Sequence, residues 1–146
     1  MGWTACNVPS GSSARKPVVA AVIRRGDRFL LGRRSLHKRS APGYWCPVSG
    51  SVEPGETLEA AVVRECFEEV GLRVVVKRKV AICDTRDGSA EIHWFLVWDE
   101  GWGGGESLPD PYLANDEHSE LGWFTAEEMR GLSPFFWEDY EIFARL

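Results

Sequence analysis

At 146 residues, with 44% apolar and 12% aromatic side chains, the chain has the length and composition of one globular domain that buries roughly two-thirds of its unfolded surface. Seventeen cations against 22 anions give a net charge of −5, which argues against a general nucleic-acid binder; a phosphorylated substrate stays open, because a bound metal ion reverses the sign of an acidic pocket. Cys6, Cys46, Cys66 and Cys83 form no Cys-x-x-Cys pair, no run approaches the roughly 20 apolar residues of a membrane span, and the N-terminus lacks a secretory pattern, so unpaired thiols and a cytoplasmic location are expected.

Residues 1–16 are small and polar without a period and read as a flexible lead-in, leaving 17–146 as a single domain. The apolar, β-branched run 17–23 predicts a buried strand, 24–27 a turn, and 28–33 a strand that pairs back. The basic loop that follows has two readings. It is either a solvated surface or the source of cations for substrate phosphates, with Arg33, Arg34 and Arg39 as the candidates. Residues 42–50 form a short strand, and Glu53-Pro54-Gly55 is a turn that feeds a helix over 57–70, stopped by Gly71. Strands are expected at 73–76, 80–83 and 91–98, with a turn at 84–88. The Gly-rich stretch 101–107 and the segment up to Asn115 make a loop long enough to border a site. Residues 116–124 carry acids into a last strand, Thr125 caps a helix, and 134–146 is a final amphipathic helix. Trp94, Trp98 and Trp102 could stack a base, while the first two equally suit a core. A strand-rich centre with one middle and one terminal helix predicts an α/β fold with a mixed sheet between helices.

The acids of the middle helix are oddly placed. Leu58, Val62, Cys66 and Val70 form its apolar stripe, and at about 100° per residue Glu65 and Glu69 bracket the direction of Leu58, with Glu68 beside them. Arg64 is the helix's one cation. A solvated acidic face is the ordinary account of such charges. The other is a divalent cation between converging carboxylates, for which oxygen ligands suit Mg²⁺ or Mn²⁺.

From Gly50 to Leu72 the chain reads Gly50, five residues, Glu56, seven residues, Arg64-Glu65-Cys66, Phe67, Glu68-Glu69, Val70, Gly71-Leu72. This stretch resembles the signature of the Nudix hydrolases, with every fixed position filled and Cys66 standing where a larger aliphatic is usual. The resemblance implies an α/β/α sandwich and Mg²⁺-dependent hydrolysis of a diphosphate linkage. It also implies metal ligation by Glu65, Glu69 and Glu68, with the Ser49 carbonyl as a further ligand, and a structural salt bridge between Glu56 and Arg64. In this family the base often comes from a loop before a late strand. Glu117, in a Glu-His pair six residues before Trp123, is the candidate and Glu120 its competitor, with a solvated acidic turn as the bland account.

The run Val48-Ser49-Gly50-Ser51-Val52-Glu53, followed by Gly55-Glu56, is similar to the subgroup acting on dATP and dihydroneopterin triphosphate. A (deoxy)nucleoside or pterin triphosphate is therefore the expected substrate, cleaved to monophosphate and pyrophosphate by a monomer or homodimer. Alternatives are a nucleotide sugar, ADP-ribose or coenzyme A, the last echoed by Leu30, Leu31, Arg34, Ser35, Arg39 and Gly43. Isopentenyl diphosphate isomerases share the fold and an approach similar to Arg33–Trp45, but they carry a cysteine where Ser49 stands. A non-catalytic Nudix module is disfavoured because no signature acid is lost.

Overall fold

The computed structural model describes residues 15–85 and 88–146; the expected lead-in up to residue 14, and Arg86 and Asp87 of the expected turn, lie outside the described residues. Strand β1 (Lys16–Arg25) is the spine of the sheet. Its alternate residues face opposite cores: Val19, Ala21 and Ile23 pack with one apolar cluster, Ala20 and Val22 with the other. Burial on both faces is why this strand reads as a continuous apolar run instead of an alternating one.

Strand β2 (Arg28–Arg34) turns back from β1 through Gly26 and Asp27, with Arg25 opposite Arg28. Two short strands follow, β3 (Trp45–Cys46) on β2 and β4 (Val48–Ser51) antiparallel to β1. Helix α1 (Leu58–Val70) leads to β5 (Val74–Asp84) and β6 (Ala90–Asp99). Strand β7 (His118–Phe124) pairs with β2, and two helices close the chain, α2 (Ala126–Met129) and α3 (Trp137–Ala144). The order is β3-β2-β1-β6-β5, with β4 beside β1 and β7 beside β2; the β1–β6 pair is parallel, so the sheet is mixed. Helix α1 supplies Val62, Cys66 and Val70 to one core, while Met129, Ile142 and Phe143 of α2 and α3 belong to the other. Helices thus flank both faces, as expected.

Three expectations need correction. The separate strands at 73–76 and 80–83 are one strand, β5, because its pairing with β6 continues through two register irregularities, between Val76 and Arg78 and between Lys79 and Ala81, beside the amines of Lys77 and Lys79. Those two amines find partners on β6: Lys77 lies 4.5 Å from the Trp98 ring centroid, and Lys79 Nζ is 3.0 Å from His93 Nδ1. The terminal helix starts at Trp137, not 134, because the preceding segment meets the sheet: Trp45 N–H donates to Pro134 O at 3.0 Å and Trp45 bridges Phe135. Cys46 and Cys66 are buried free thiols, whereas Cys83 is disulfide-bonded. Among the described residues, no helix is long and apolar enough to cross a membrane.

Candidate active site

Helix α1 is fixed at both ends by its sequence. Thr57 caps the N-terminus by accepting the Ala60 N–H at 3.1 Å, a contact worth about 1 kcal/mol. Gly71 ends it at φ 72°, a left-handed conformation that suits glycine, and its N–H donates to Phe67 O at 3.1 Å. The loop before β7 then straps this end, with Tyr112 N–H donating to Val70 O at 3.0 Å and Ala114 N–H to Glu69 O at 3.1 Å. Arg25 anchors the same loop through Pro109 O at 2.6 Å while gripping the buried Asp99 carboxylate with two bonds of 2.6 and 2.8 Å.

Arg64 ties the turn to the helix. Its guanidinium donates twice to Glu56, at 2.8 and 2.9 Å, and once to Ser51 O at 3.0 Å, which joins helix, turn and β4. This fork holds the Glu56 carboxyl down to about 2. Arg64 Nη1 also reaches Glu65 Oε2 at 2.9 Å and Glu68 Oε1 at 3.2 Å.

Glu65 and Glu69 face β4. A Cβ on Gly50 would overlap the Glu65 carboxylate, so the strand approaches this helix at a point where only glycine fits. Glu69 is 3% exposed and accepts a backbone hydrogen bond from Ser49. The two carboxyls lie within hydrogen-bonding reach of each other. Burial is the first cause that raises both, Glu65 to about 8 and Glu69 to about 7; repulsion from Glu69 adds to the first, and the charge of Glu117 to the second. Glu68 departs from the expected convergence: its side chain is 51% exposed and turned onto Arg64. Accordingly, among the described residues, no group of three or more acids, histidines or cysteines is gathered in a metal-holding arrangement. What is gathered is a pair of carboxylates, Glu69 buried and Glu65 half-buried, beside an Arg64 that is shared among Glu56, Glu65 and Glu68, an arrangement a divalent cation stabilises.

The remaining candidates divide between this pair and the surface. Glu117 lies near enough for its charge to raise Glu69, and Lys38 Nζ holds its carboxylate at 2.7 Å. Glu120 is 54% exposed on β7, 3.5 Å from Arg33 Nη1. Arg33 is further occupied by Gly43 O at 3.1 Å, and Arg39 is exposed. Arg34 instead lines a cavity of about 500 Å³ together with Ser49, Trp94, Phe136 and Asp139. Trp94 therefore serves core and cavity at once, whereas Trp102 is exposed and lines neither.

Sequence reasoning missed a contact under Glu69. His118 Nε2 lies 3.0 Å from Glu69 Oε1, and burial pushes this imidazole down to about 4, so it is neutral near pH 7. The Glu-His pair was visible in the sequence. That its histidine turns inward was not, because β7 changes register against β2 between Arg33 and Arg34.

A family model of the NUDIX domain matches residues 14–146. The chain is similar to the NAD-capped RNA hydrolase NudC of Deinococcus radiodurans, at 36% identity over 82% of this chain and 41% of that protein. It is similar to the CTP pyrophosphohydrolase of Escherichia coli K12 at 35% identity, over 76% of each. The chain thus spans about two-fifths of the NudC relatives it matches but three-quarters of the CTP pyrophosphohydrolase. Among solved structures, the MutT protein of Methanosarcina mazei Go1 superposes with a TM-score of 0.72 at 28% identity, covering 92% of this chain and 95% of that one. Nudix enzymes generally use a divalent metal such as Mg²⁺. Together with the complete signature on β4 and α1, these likenesses place the chain in the Nudix family.

Proposed function

We propose that the protein hydrolyses a (deoxy)nucleoside or pterin triphosphate to the monophosphate and pyrophosphate, in the cytoplasm, as a monomer or homodimer that uses Mg²⁺ or Mn²⁺. One observation supports this reading: Ser49 lines the 500 Å³ cavity and its backbone hydrogen-bonds Glu69, so the cavity borders the carboxylate pair. Trp94 and Phe136 offer the cavity ring surfaces, Asp139 a carboxylate and Arg34 a cation, groups that suit a base and a phosphate. The similarity over three-quarters of the CTP pyrophosphohydrolase supports a triphosphate.

The donor set fits a hard divalent cation. Glu65 and Glu69 would hold it, with the Ser49 carbonyl and with Glu68 once it leaves Arg64; Gly50 keeps the cradle open. When bound, such an ion neutralises phosphate oxygens and lowers the pKa of a coordinated water. The chain's own residues do the rest. Arg34 binds phosphate at the cavity wall, and Glu117, held by Lys38, accepts the proton of the attacking water. The Arg64–Glu56 fork keeps turn and helix in register as scaffold, and Glu120 stays outside the reaction.

A second reading has its own support in the 36% identity to an NAD-capped RNA hydrolase. A dinucleotide diphosphate, alone or as an RNA cap, presents the same linkage and would bring nucleic acid in as substrate despite the net charge of −5. The deciding experiment incubates the protein and Mg²⁺ separately with CTP, dATP, dihydroneopterin triphosphate, NAD, ADP-ribose, coenzyme A and NAD-capped RNA, and identifies products by chromatography. Pyrophosphate and a monophosphate from a triphosphate at the highest kcat/KM support the first reading. Preference for NAD or the capped RNA overturns it for the second.

A further inference from the structure

The carboxylate pair has a neighbour whose placement is specified several times over. His118 is 6% exposed, and its Nε2 sits 3.0 Å from Glu69 Oε1, while its Nδ1 has no hydrogen-bond partner among the described residues. Those two facts assign the tautomer. A stranded N–H costs more than a stranded lone pair, so the proton is on Nε2 and is donated to Glu69. Room for the ring comes from Gly32 on β2, where a Cβ would overlap the imidazole. Its aim comes from the register irregularity between Arg33 and Arg34, which places His118 opposite Arg34. The chain just before it is pinned by Ser35, whose N–H donates to Glu117 O at 3.0 Å and whose hydroxyl donates to Asp116 O at 2.6 Å.

We propose that His118 is a positioning residue for Glu69, fixing which carboxylate oxygen faces Glu65. Glu69 then receives the Ser49 backbone bond and the imidazole N–H, so its orientation is set by both β4 and β7 before any cation arrives. Gly32 is part of the same device, since its lack of a side chain admits the ring. The proposal rests on the reading of Glu65 and Glu69 as metal-holding groups.

Its test measures Mn²⁺ binding directly, by electron paramagnetic resonance titration of the full chain, without substrate. His118→Gln keeps a side-chain N–H at the reach of Nε2, whereas His118→Asn stops short of it and His118→Phe fills the space without a donor. Expected is a loss of about 10- to 100-fold in Mn²⁺ affinity for the Asn and Phe variants, with the Gln variant within about 3-fold of wild type and native circular dichroism throughout. If Phe does not fold, the Gln-versus-Asn contrast carries the test alone. Asn binding Mn²⁺ as tightly as wild type, or Gln as weakly as Asn, overturns the proposal. Glu69→Gln separates the two levels. Undiminished Mn²⁺ binding in that variant removes the metal reading itself, whereas its loss alongside a tight-binding His118→Asn removes only the role of His118.

Discussion

Gly50 and Glu65 touch so closely that a single added methyl group on the glycine would occupy the position of the glutamate's carboxylate. Strand β4 and helix α1 therefore meet at the acid itself, and the first and fourth specified positions of the signature form one contact. Gly50→Ala should displace the Glu65 carboxylate and lower kcat on the order of 10²-fold, the scale of a 1 Å misplacement at a reacting centre. Steady-state kinetics beside a thermal melt check this; a folded Gly50→Ala protein with wild-type kcat contradicts it.

The carboxylate pair predicts a pH dependence of stability in metal-free protein. Glu65 is raised to about 8 and Glu69 to about 7, both from the ordinary carboxylate value of 4.5. Between these limits the folded chain holds protons that the unfolded chain releases. The pair's contribution is thus fully present below about 4.5 and is lost as pH rises through about 7 and 8. Melting of EDTA-treated protein from pH 5 to 9 should show this decline, and stabilisation by saturating Mg²⁺ should grow over the same window as binding displaces protons. An equal decline in the Glu65→Gln/Glu69→Gln double variant would sink the assignment.

Glu117 and Lys38 make a third test. Glu117→Gln should lower kcat on the order of 10²- to 10⁴-fold with the fold intact. Lys38→Ala should leave Glu117 able to act but poorly placed, giving a smaller loss. Near-wild-type turnover of Glu117→Gln removes it as the base.

Gly71 and Tyr112 test the strap over the end of α1. Gly71→Ala incurs the left-handed conformational cost of about 1–2 kcal/mol, and its new methyl group also meets the Tyr112 ring. In a Tyr112→Ala background only the first cost should remain, so denaturant melts of the four proteins should show a coupling on the order of 1 kcal/mol. Strict additivity means the ring moves aside without penalty.

Local chemistry carried much of this architecture into the sequence. The double-sided burial of β1, the Thr57 and Gly71 ends of α1, the Thr125 cap of α2 and the inward placement of Glu65 and Glu69 all follow from patterns within a few residues. What stayed hidden depends on pairing between distant segments. The unbroken β5 rests on its register with β6, the late start of α3 on Pro134 and Phe135 meeting Trp45, and the inward turn of His118 on the β2–β7 register. Helical spacing placed Glu68 beside the other two acids, but Arg64 holds it at the surface, an outcome that needs side-chain geometry.

The most direct measurement is pyrophosphate release from a nucleoside triphosphate as a function of Mg²⁺ concentration, with wild type compared to Glu69→Gln. Wild type should turn over only with Mg²⁺ present, and the variant, equally folded, should lose that Mg²⁺-dependent activity. Turnover that persists in Glu69→Gln with an unchanged Mg²⁺ requirement would contradict the central role given to the carboxylate pair.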